Sequence, residues 1–448
     1  MVPVMSVHAS RTGAALFLGI GLGATVLAAA CATEKGVPPH AAMNRWRFTG
    51  FPIVAWWGPP GTATREDFEA YRDAGFTLHA TNPDAGFARA LEHVEAVGLR
   101  SLVFRQAQGF ALAPLPDVRF PADRDVIVGW ITDDEPRGAD QVARSVRAVQ
   151  ALIRDDPRRW AFFNLLSPTV QLDPSTEAIV DAAVAAGMPV LSYDTYAIMA
   201  GGHDRADLLY DHLDRFRLAS LRLGVPFWAF ALTLAHDGYR RPSESDLRWQ
   251  HYSNLAYGAK GLWYFTYWGP TDWRGWDTRA IVDPRDGSRT ELYDWVRALN
   301  RAVLDVGAIL LGLTSLDVVH TSPPHGQRAF ESGKGWIAGI RARDALLGSF
   351  TDPAGTPYAL VVNKLHGPGK SARDAADTIE LRFSEEVASV EAVSWLDGSP
   401  GPLALREGKC SLTVAGGTGV LLRAARLTAP RPEFPRDGGS RGTGESSP

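Results

Sequence analysis

Cysteine is almost absent from the chain. Only Cys31 and Cys410 occur among 448 residues, and neither belongs to a CxxC pair or to a cluster of cysteine and histidine. A structural zinc site is therefore not expected, because such sites need four closely grouped sulfur or nitrogen ligands. We predict a protein without a metal or a cofactor.

The chain also lacks an excess of charge of one sign. Its 46 Lys and Arg residues against 50 Asp and Glu residues give a net charge of −4, and no long basic run occurs. Nucleic acid is therefore not expected as a partner. Beyond residue 31 no apolar run approaches the roughly 20 residues of a membrane span. Hydrophobic residues make up 45% of the chain, enough for a large core. Nothing in the sequence indicates an oligomeric state.

Residues 1–31 have the order of an export signal. Arg11 supplies a positive charge, an apolar run covers Gly13–Ala30, and small residues directly precede Cys31. This ending resembles the lipobox of bacterial lipoproteins, which implies that Cys31 is lipidated and anchors an exported protein to a membrane of the cell envelope, in the periplasm or at the cell surface. Ordinary signal cleavage near Ala30 and an uncleaved anchor are the alternatives. Residues 32–45 are expected to form a short tether.

Residues 46–313 contain eight short apolar segments separated by amphipathic stretches. This alternation is typical of βα units around a parallel sheet, whose strands are buried on both faces. The predicted strands are Phe51–Trp57, Phe76–Thr81, Arg100–Arg105, Val126–Asp133, Trp160–Leu165, Pro189–Tyr193, Pro226–Leu232 and Gly261–Tyr267. The repetition favours a (β/α)8 TIM barrel. An open doubly wound sheet is the alternative, but it often carries the glycine-rich turn that is missing here.

The pattern changes near residue 314. Short alternating strands follow one another, and the links between them are rich in Gly, Asp and Pro. We predict an antiparallel β-sandwich over residues 314–426. The predicted strands are Val318–His320, Trp336–Arg341, Ala345–Thr351, Tyr358–Asn363, Thr378–Phe383, Val390–Trp395, Cys410–Val414 and Gly419–Ala424. The composition of residues 427–448, dominated by Pro, Gly, Arg and Ser, predicts a disordered tail.

Three consecutive carboxylates, Asp133, Asp134 and Glu135, end the fourth predicted strand. In TIM barrels the active site lies at the carboxyl ends of the strands. Adjacent acids leaving a buried strand repel one another, which should raise the pKa of at least one of them, as a general acid requires. Capping of the following helix is the structural alternative. The position in the barrel favours a catalytic role.

The segment "GWITDDEP" is similar to the strand-four "DEP" segment of clan-A-like (β/α)8-barrel glycoside hydrolases. The segments "VLSYDTYAI", "PFWAFALTLAH" and "LRWQHYSNLAYGAKGLWYFTYWGP" resemble uncharacterised bacterial members of the same group, and the resemblance covers residues 46 to 425. It implies a β-sandwich after the barrel, a carbohydrate substrate, and the acid/base position for Glu135. The chain departs from the pattern in two places: Asp134 replaces the usual Asn, and strand seven ends without the usual nucleophilic Glu.

Asp194, after strand six, is the best substitute for the missing nucleophile. Tyr193 and Tyr196 flank it, and their phenols could orient its carboxylate. A structural Asp in a loop is the alternative interpretation, and Asp237 is a second candidate partner. A separation of about 5–5.5 Å between the Glu135 and Asp194 carboxyls would predict retention of configuration, and about 6.5–9.5 Å inversion. The sequence does not choose between the two.

Aromatic and polar residues at other strand ends predict a sugar-binding cleft, since sugar rings pack on aromatic faces. For each residue, packing in the core or a loop is the alternative. The substrate-binding residues expected around the catalytic pair are Trp57, His79, Asp134, Asn164, Tyr193, Tyr196, Trp228, Tyr267 and Trp268.

Three functions fit these features. The first is an exported glycoside hydrolase that cleaves an oligo- or polysaccharide by carboxylate acid/base chemistry. The second is a catalytically inactive, glycan-binding lipoprotein, which the missing strand-seven Glu favours. The third, a polysaccharide lyase with Tyr193 or His79 as base, has the least support. Neither the sugar nor the linkage can be named from the sequence.

Overall fold

The computed structural model describes residues 50–84, 86–105, 107–108, 111–112, 125–166, 175–271 and 275–427. The predicted lipidation site Cys31, the export segment, the tether and the tail lie outside these residues. Among the described helices, none has the length and apolar character needed to cross a membrane.

Eight parallel strands form the predicted barrel. They are β1 (Ile53–Ala55), β2 (Leu78–Thr81), β3 (Arg100–Phe104), β4 (Ile127–Asp134), β5 (Trp160–Leu165), β6 (Leu191–Tyr193), β7 (Phe227–Leu232) and β8 (Leu262–Phe265). Each strand pairs with its sequence neighbour from β2 round to β8, and β8 pairs with β1. The backbone N–H of Thr77 donates to the carbonyl of Ile53 at 2.9 Å, which joins β2 to β1. The TIM-barrel prediction is confirmed.

Seven described helices follow the strands on the outside. They are α1 (Arg65–Asp73), α2 (Phe87–Ala96), α3 (Gly138–Asp155), α4 (Thr176–Ala185), α5 (Ala206–Leu223), α6 (Glu244–Ala256) and α7 (Glu291–Gly312). Thr64 and Ser243 begin α1 and α6 with capping boxes, and Gly224 ends α5 in the left-handed conformation, as their sequences predict. Two short strands, Ala107–Gln108 and Ala111–Leu112, pair with each other after β3.

Large aromatic rings fill the barrel interior. The Trp228 ring lies 5.9 Å from Trp160 and 5.9 Å from Trp263, between ring centroids. Gly261 lies against the same indole, and a Cβ at this position would come within 2.6 Å of it. The barrel interior around Trp228 is therefore closely packed. We therefore expect a ligand site at the carboxyl ends of the strands, where the active sites of such barrels lie.

Nine antiparallel strands follow the barrel in two sheets. They are β9 (Thr314–His320), β10 (Ile337–Arg341), β11 (Ala345–Thr351), β12 (Pro357–Asn363), β13 (Asp377–Phe383), β14 (Val387–Val393), β15 (Pro400–Pro402), β16 (Lys409–Val414) and β17 (Gly419–Leu427). One sheet has the order β9-β11-β12-β17-β14-β15 and the other β10-β13-β16. Apolar side chains of both sheets form one core, so the predicted sandwich is confirmed.

Helix α6 joins the two parts of the molecule. The hydroxyls of Ser243 and Ser245 donate to the carbonyls of Gly367 (2.8 Å) and Lys370 (2.9 Å) in the sandwich. The His366 ring stacks on Trp249, with 4.0 Å between centroids. These contacts fix the sandwich against the barrel.

Candidate active site

The chain turns sharply where β4 ends. Glu135 follows Asp134, the last residue of β4, with φ of 47°. Its backbone N–H donates to the carbonyl of Asn164 at 3.0 Å, which holds the turn against β5. The left-handed region is uncommon for residues other than glycine and tends to be kept where a site requires it. The turn carries the Glu135 side chain to the barrel mouth.

The three consecutive acids separate in space. Asp133 accepts a hydrogen bond from the Ser145 hydroxyl at 2.6 Å and thereby anchors α3. The N-cap of α3 is Arg137, whose side chain makes no capping hydrogen bond, and the Arg137 backbone N–H donates to Oε1 of Gln141 at 2.7 Å. None of the three acids is therefore the N-cap of α3. Asp134 and Glu135 remain at the mouth.

Asn164, near the end of β5, connects the acids of β4 and β6. Its Nδ2 donates to Oδ1 of Asp194 at 2.9 Å and to Oδ1 of Asp134 at 3.2 Å. Its own Oδ1 accepts from the Ser192 hydroxyl at 2.9 Å, which fixes the orientation of the amide. Asn164 is buried, at 2% exposure. The sequence-predicted residues Asp134, Glu135, Asn164 and Asp194 thus form one cluster.

Glu135 and Asp194 are neighbours in this cluster, and the Glu135 carboxylate raises the pKa of Asp194. Two neighbouring negative charges repel each other, which favours a proton on one of the two groups. Burial, together with the charges of Glu135 and Asp134, raises the pKa of Asp194 well above its ordinary value. On the other side, Nη2 of Arg137 lies 2.9 Å from Oε2 of Glu135. The arrangement therefore favours a proton on Asp194.

The same cluster changes the titration of Asp134. Burial of its carboxyl group raises the pKa of Asp134 to about 6. The hydrogen bond from Asn164 lowers this pKa, and the charges of Glu135 and Asp133 raise it. The direction agrees with the prediction that at least one of the three acids has a raised pKa, but burial, and not repulsion between the acids, is its largest cause.

Aromatic side chains surround the cluster on the side of β7 and β8. We call them the aromatic wall, formed by Tyr196, His236, Tyr239, Phe265 and Trp276. The Tyr196 ring lies 5.6 to 5.8 Å from the rings of Tyr239, Phe265 and His236. Burial lowers the pKa of His236, so this ring is neutral near pH 7. Tyr196 was expected at the site. The sequence analysis missed three residues of the wall: Tyr239, Phe265 and Trp276. Only their position in the sequence, at or after the ends of β7 and β8, could have indicated that they lie near the site.

Asp237, the alternative partner, lies in the loop after β7. Its Oδ1 accepts a hydrogen bond from Nε1 of Trp276 at 3.2 Å, and its φ is 44°. The residue is exposed. It borders the aromatic wall, whereas Asp194 belongs to the carboxyl cluster itself.

A cavity of about 840 Å³ opens beside the aromatic wall, at the ends of β1, β2 and β8. Trp57, His79 and Trp268 line it, as do Thr81 and Asn82. The Trp57 ring also lies 5.4 Å from Phe265. Trp57 therefore separates the cavity from the aromatic wall. Glu135 does not belong to the described lining of this cavity.

His79 is held by its neighbours and cannot readily act as a base. Its Nδ1 lies 2.7 Å from the Thr81 hydroxyl and its Nε2 3.0 Å from the carbonyl of Pro59. Burial lowers the pKa of His79 to about 4. Both ring nitrogens are engaged and the ring is neutral, which removes support for a lyase that uses His79.

Three expected substrate contacts are wrong. Trp228 is fully buried in the barrel interior, because it is the second residue of β7 and lies far from the carboxyl end of that strand. Tyr193 faces the helices: its ring stacks on Phe216 at 3.7 Å, and its phenol has no hydrogen-bond partner in the described part of the chain. Tyr267 packs on Tyr71 at 4.8 Å, behind the barrel wall. Asn164 therefore orients Asp194, and Tyr193 does not.

The fold and the carboxyl cluster together define a TIM-barrel protein with an acidic site at its mouth. Neither a family model nor a curated protein matches the sequence. Among solved structures, a candidate alpha-galactosidase from Bacteroides fragilis is 9% identical over 84% of this chain and 80% of its own, with a TM-score of 0.48. A glucosidase from Croceicoccus marinus is 12% identical over 84% and 95%, with a TM-score of 0.44.

A candidate alpha-L-fucosidase from Bacteroides thetaiotaomicron is 12% identical over 60% of this chain and 96% of its own, with a TM-score of 0.42. All three proteins carry the names of glycosidases. Because barrels of this type serve many unrelated reactions, the function of this chain has to be inferred from the carboxyl cluster.

Proposed function

We propose that the protein is a glycoside hydrolase that acts on an oligo- or polysaccharide through Glu135 and Asp194. The observation that carries this proposal is the carboxyl cluster at the barrel mouth, in which Asn164 binds both Asp194 and Asp134 and the Glu135 carboxylate raises the pKa of Asp194. Glycoside hydrolysis needs one carboxylic acid to protonate the leaving oxygen and one carboxylate to attack C1 or to activate water. A pair of carboxyl groups that holds one proton supplies both forms at once.

The surroundings of the pair assign the two roles. The raised pKa of Asp194 keeps its proton available at neutral pH, so Asp194 protonates the glycosidic oxygen. Glu135, which forms an ion pair with Arg137, acts as nucleophile or as base toward water. This assignment reverses the one that the strand-four resemblance implies. A bound sugar must enter between the two groups, and their separation then decides between retention and inversion.

The cavity next to the aromatic wall is proposed to hold a sugar unit of the substrate that is not cleaved. Trp57 and Trp268 are both partly exposed and line it. Indole faces are suited to the CH groups of sugar rings. Its volume of about 840 Å³ falls within the range of small-ligand pockets.

A glycan-binding protein without activity is the alternative. It is favoured by one observation: β7 ends without a carboxylate. We further propose export and lipidation at Cys31, on the sequence of residues 1–31 alone.

A glycan-library assay tests the proposal. The full chain, Glu135→Gln and Asp194→Asn are incubated with neutral and acidic oligosaccharides, and new reducing ends are measured. We expect cleavage of at least one class by the parent and its loss in both variants. Glu92→Gln and Asp155→Asn, exposed acids on α2 and α3, are the matched controls and should remain active. Binding without cleavage by the parent would establish the alternative.

A further inference from the structure

The outer face of the three-stranded sheet carries a groove of about 730 Å³, remote in sequence from the barrel mouth. Its lining comes from β10, β13, β16 and the turn before β16. Four of the lining side chains are cationic and exposed: Arg341, Arg382, Arg406 and Lys409. On the opposite face of the same strands, Leu381 and Cys410 belong to the core of the sandwich. The charges therefore project away from the core.

Three of the cations form a row across the strands. Arg406 and Lys409 face each other across a tight turn, joined by backbone hydrogen bonds of 2.9 and 3.0 Å. Lys409 is in turn directly opposite Arg382 in the ladder between β16 and β13. Side chains at such positions lie about 4.5–5.5 Å apart at Cβ, and like charges there destabilise a sheet. This sequence maintains an unfavourable row of charges on an exposed face.

No ion pair within the described residues neutralises the row. Nη2 of Arg382 donates to the carbonyl of Ala338 at 2.7 Å, which fixes the direction of this guanidinium. The side chains of Arg406 and Lys409 make no hydrogen bond or ion pair with the residues that the structure describes. A neighbouring row consists of Arg341, Glu380 and Ser411, each opposite the next, with Arg341 and Glu380 3.5 Å apart.

We propose that this groove binds a carboxylated polysaccharide, one built from uronate units, and so holds the protein on an acidic glycan. Guanidinium groups pair well with carboxylates. The neighbouring row offers a carboxylate and a hydroxyl, which suit the hydroxyl groups of a sugar and would repel a polymer with charge at every position. None of the described lining residues is aromatic, so stacking of bases or of neutral sugars has no platform there. The site is separate from the proposed hydrolytic site.

The experiment measures binding of polygalacturonate to the full chain by isothermal calorimetry at low salt. Dextran is the neutral control, and duplex DNA and phosphatidylglycerol vesicles are the competing polyanions. We expect binding of polygalacturonate alone, weakening as NaCl is raised. Arg406→Gln with Lys409→Gln should weaken it about tenfold or more, since charge-assisted contacts are lost. The control pair Arg297→Gln with Arg301→Gln removes two exposed charges from α7 and should bind as the parent does.

Thermal unfolding gives an independent readout. Because the charge row is unfavourable, Arg406→Gln with Lys409→Gln should melt at the same temperature as the parent or higher. Absence of polygalacturonate binding, equal binding by the two double variants, or preference for DNA or vesicles would overturn the proposal. The same titrations on Glu135→Gln separate this site from the hydrolytic one, since binding in the groove should persist when cleavage is lost.

Discussion

Nδ2 of Asn164 lies 2.9 Å from Oδ1 of Asp194, and this hydrogen bond ties the acid of β6 to β5. The bond lowers the pKa of Asp194, against the effects of burial and of Glu135. Asn164→Ala should therefore raise this pKa further and leave the Asp194 carboxyl less well oriented. We expect turnover to fall about 10- to 100-fold, as for a buried group that loses its hydrogen-bond partner, and the alkaline limb of the pH–rate profile to move to higher pH.

Ser192→Ala is the companion variant for this prediction. It removes only the donor that orients the Asn164 amide, so the same changes should occur at smaller size. A loss of turnover in Asn164→Ala without any shift of the pH profile would mean that Asn164 has only a structural role.

The raised pKa values of the acidic cluster predict a pH-dependent stability. An acid whose pKa is higher in the folded state binds protons preferentially when folded, so its contribution to stability is lost as the pH rises. For Asp134 this loss occurs between about pH 4, its unfolded value, and about pH 6; for Asp194 it extends to higher pH. The side chain of the Asp194→Asn variant does not ionise. Relative to the parent, the melting temperature of this variant should therefore rise as the pH is raised from 4 to 8. A constant difference between the two melting temperatures would contradict the raised pKa of Asp194.

Substitution of the two tryptophans at the cavity should affect glycan binding, whereas substitution of a tryptophan in the barrel interior should affect stability. Trp57→Ala or Trp268→Ala should weaken glycan binding by about 0.5–1.5 kcal/mol per ring, and the fold should be retained. Trp228→Ala, at a fully buried position, should instead destabilise the protein by about 3–5 kcal/mol. Binding isotherms and chemical denaturation measure the two effects. If Trp268→Ala binds glycan with parental affinity, the cavity is not a sugar subsite.

The proposed lipid anchor has a simple test. In a bacterial host, Cys31→Ala should move the protein from the membrane fraction to the soluble fraction, because acylation at this residue is lost. Cys410→Ala, which removes the other cysteine, should leave the distribution unchanged. Unaltered fractionation of Cys31→Ala would contradict lipidation.

The sequence pattern was sufficient for the fold because barrel strands are buried on both faces and therefore stand out as apolar runs. The predicted strand Trp160–Leu165 has the bounds of β5. Strand β15, Pro400–Pro402, was missed because proline and glycine usually mark turns. The cluster of Glu135, Asn164 and Asp194 followed from topology alone, since parallel strands end on one face of a barrel.

Side-chain direction was not available from the same pattern. Trp228 was expected at the barrel mouth. Strand β7 is apolar throughout, so its sequence does not show which residues lie near its carboxyl end. Trp228 is the second residue of the strand, and its side chain lies in the core. The sequence did not show which of the three acids faces the mouth, because this depends on a contact with α3: the Ser145 hydroxyl binds Asp133 and holds it away from the other two acids. Tyr239 and Trp276 reach the aromatic wall through the conformations of loops, which have no periodicity to detect.

The rates of Glu135→Gln, Asp194→Asn and Asp237→Asn on one unactivated glycoside test the central claim most directly. Glu135 and Asp194 belong to one carboxyl cluster, whereas Asp237 is bound to Trp276 in an exposed loop. We predict that the first two variants lose about 10²–10⁴-fold in turnover, while Asp237→Asn stays near the parental rate. Full activity of Asp194→Asn together with loss of activity in Asp237→Asn would contradict the assignment of Glu135 and Asp194 as the catalytic pair.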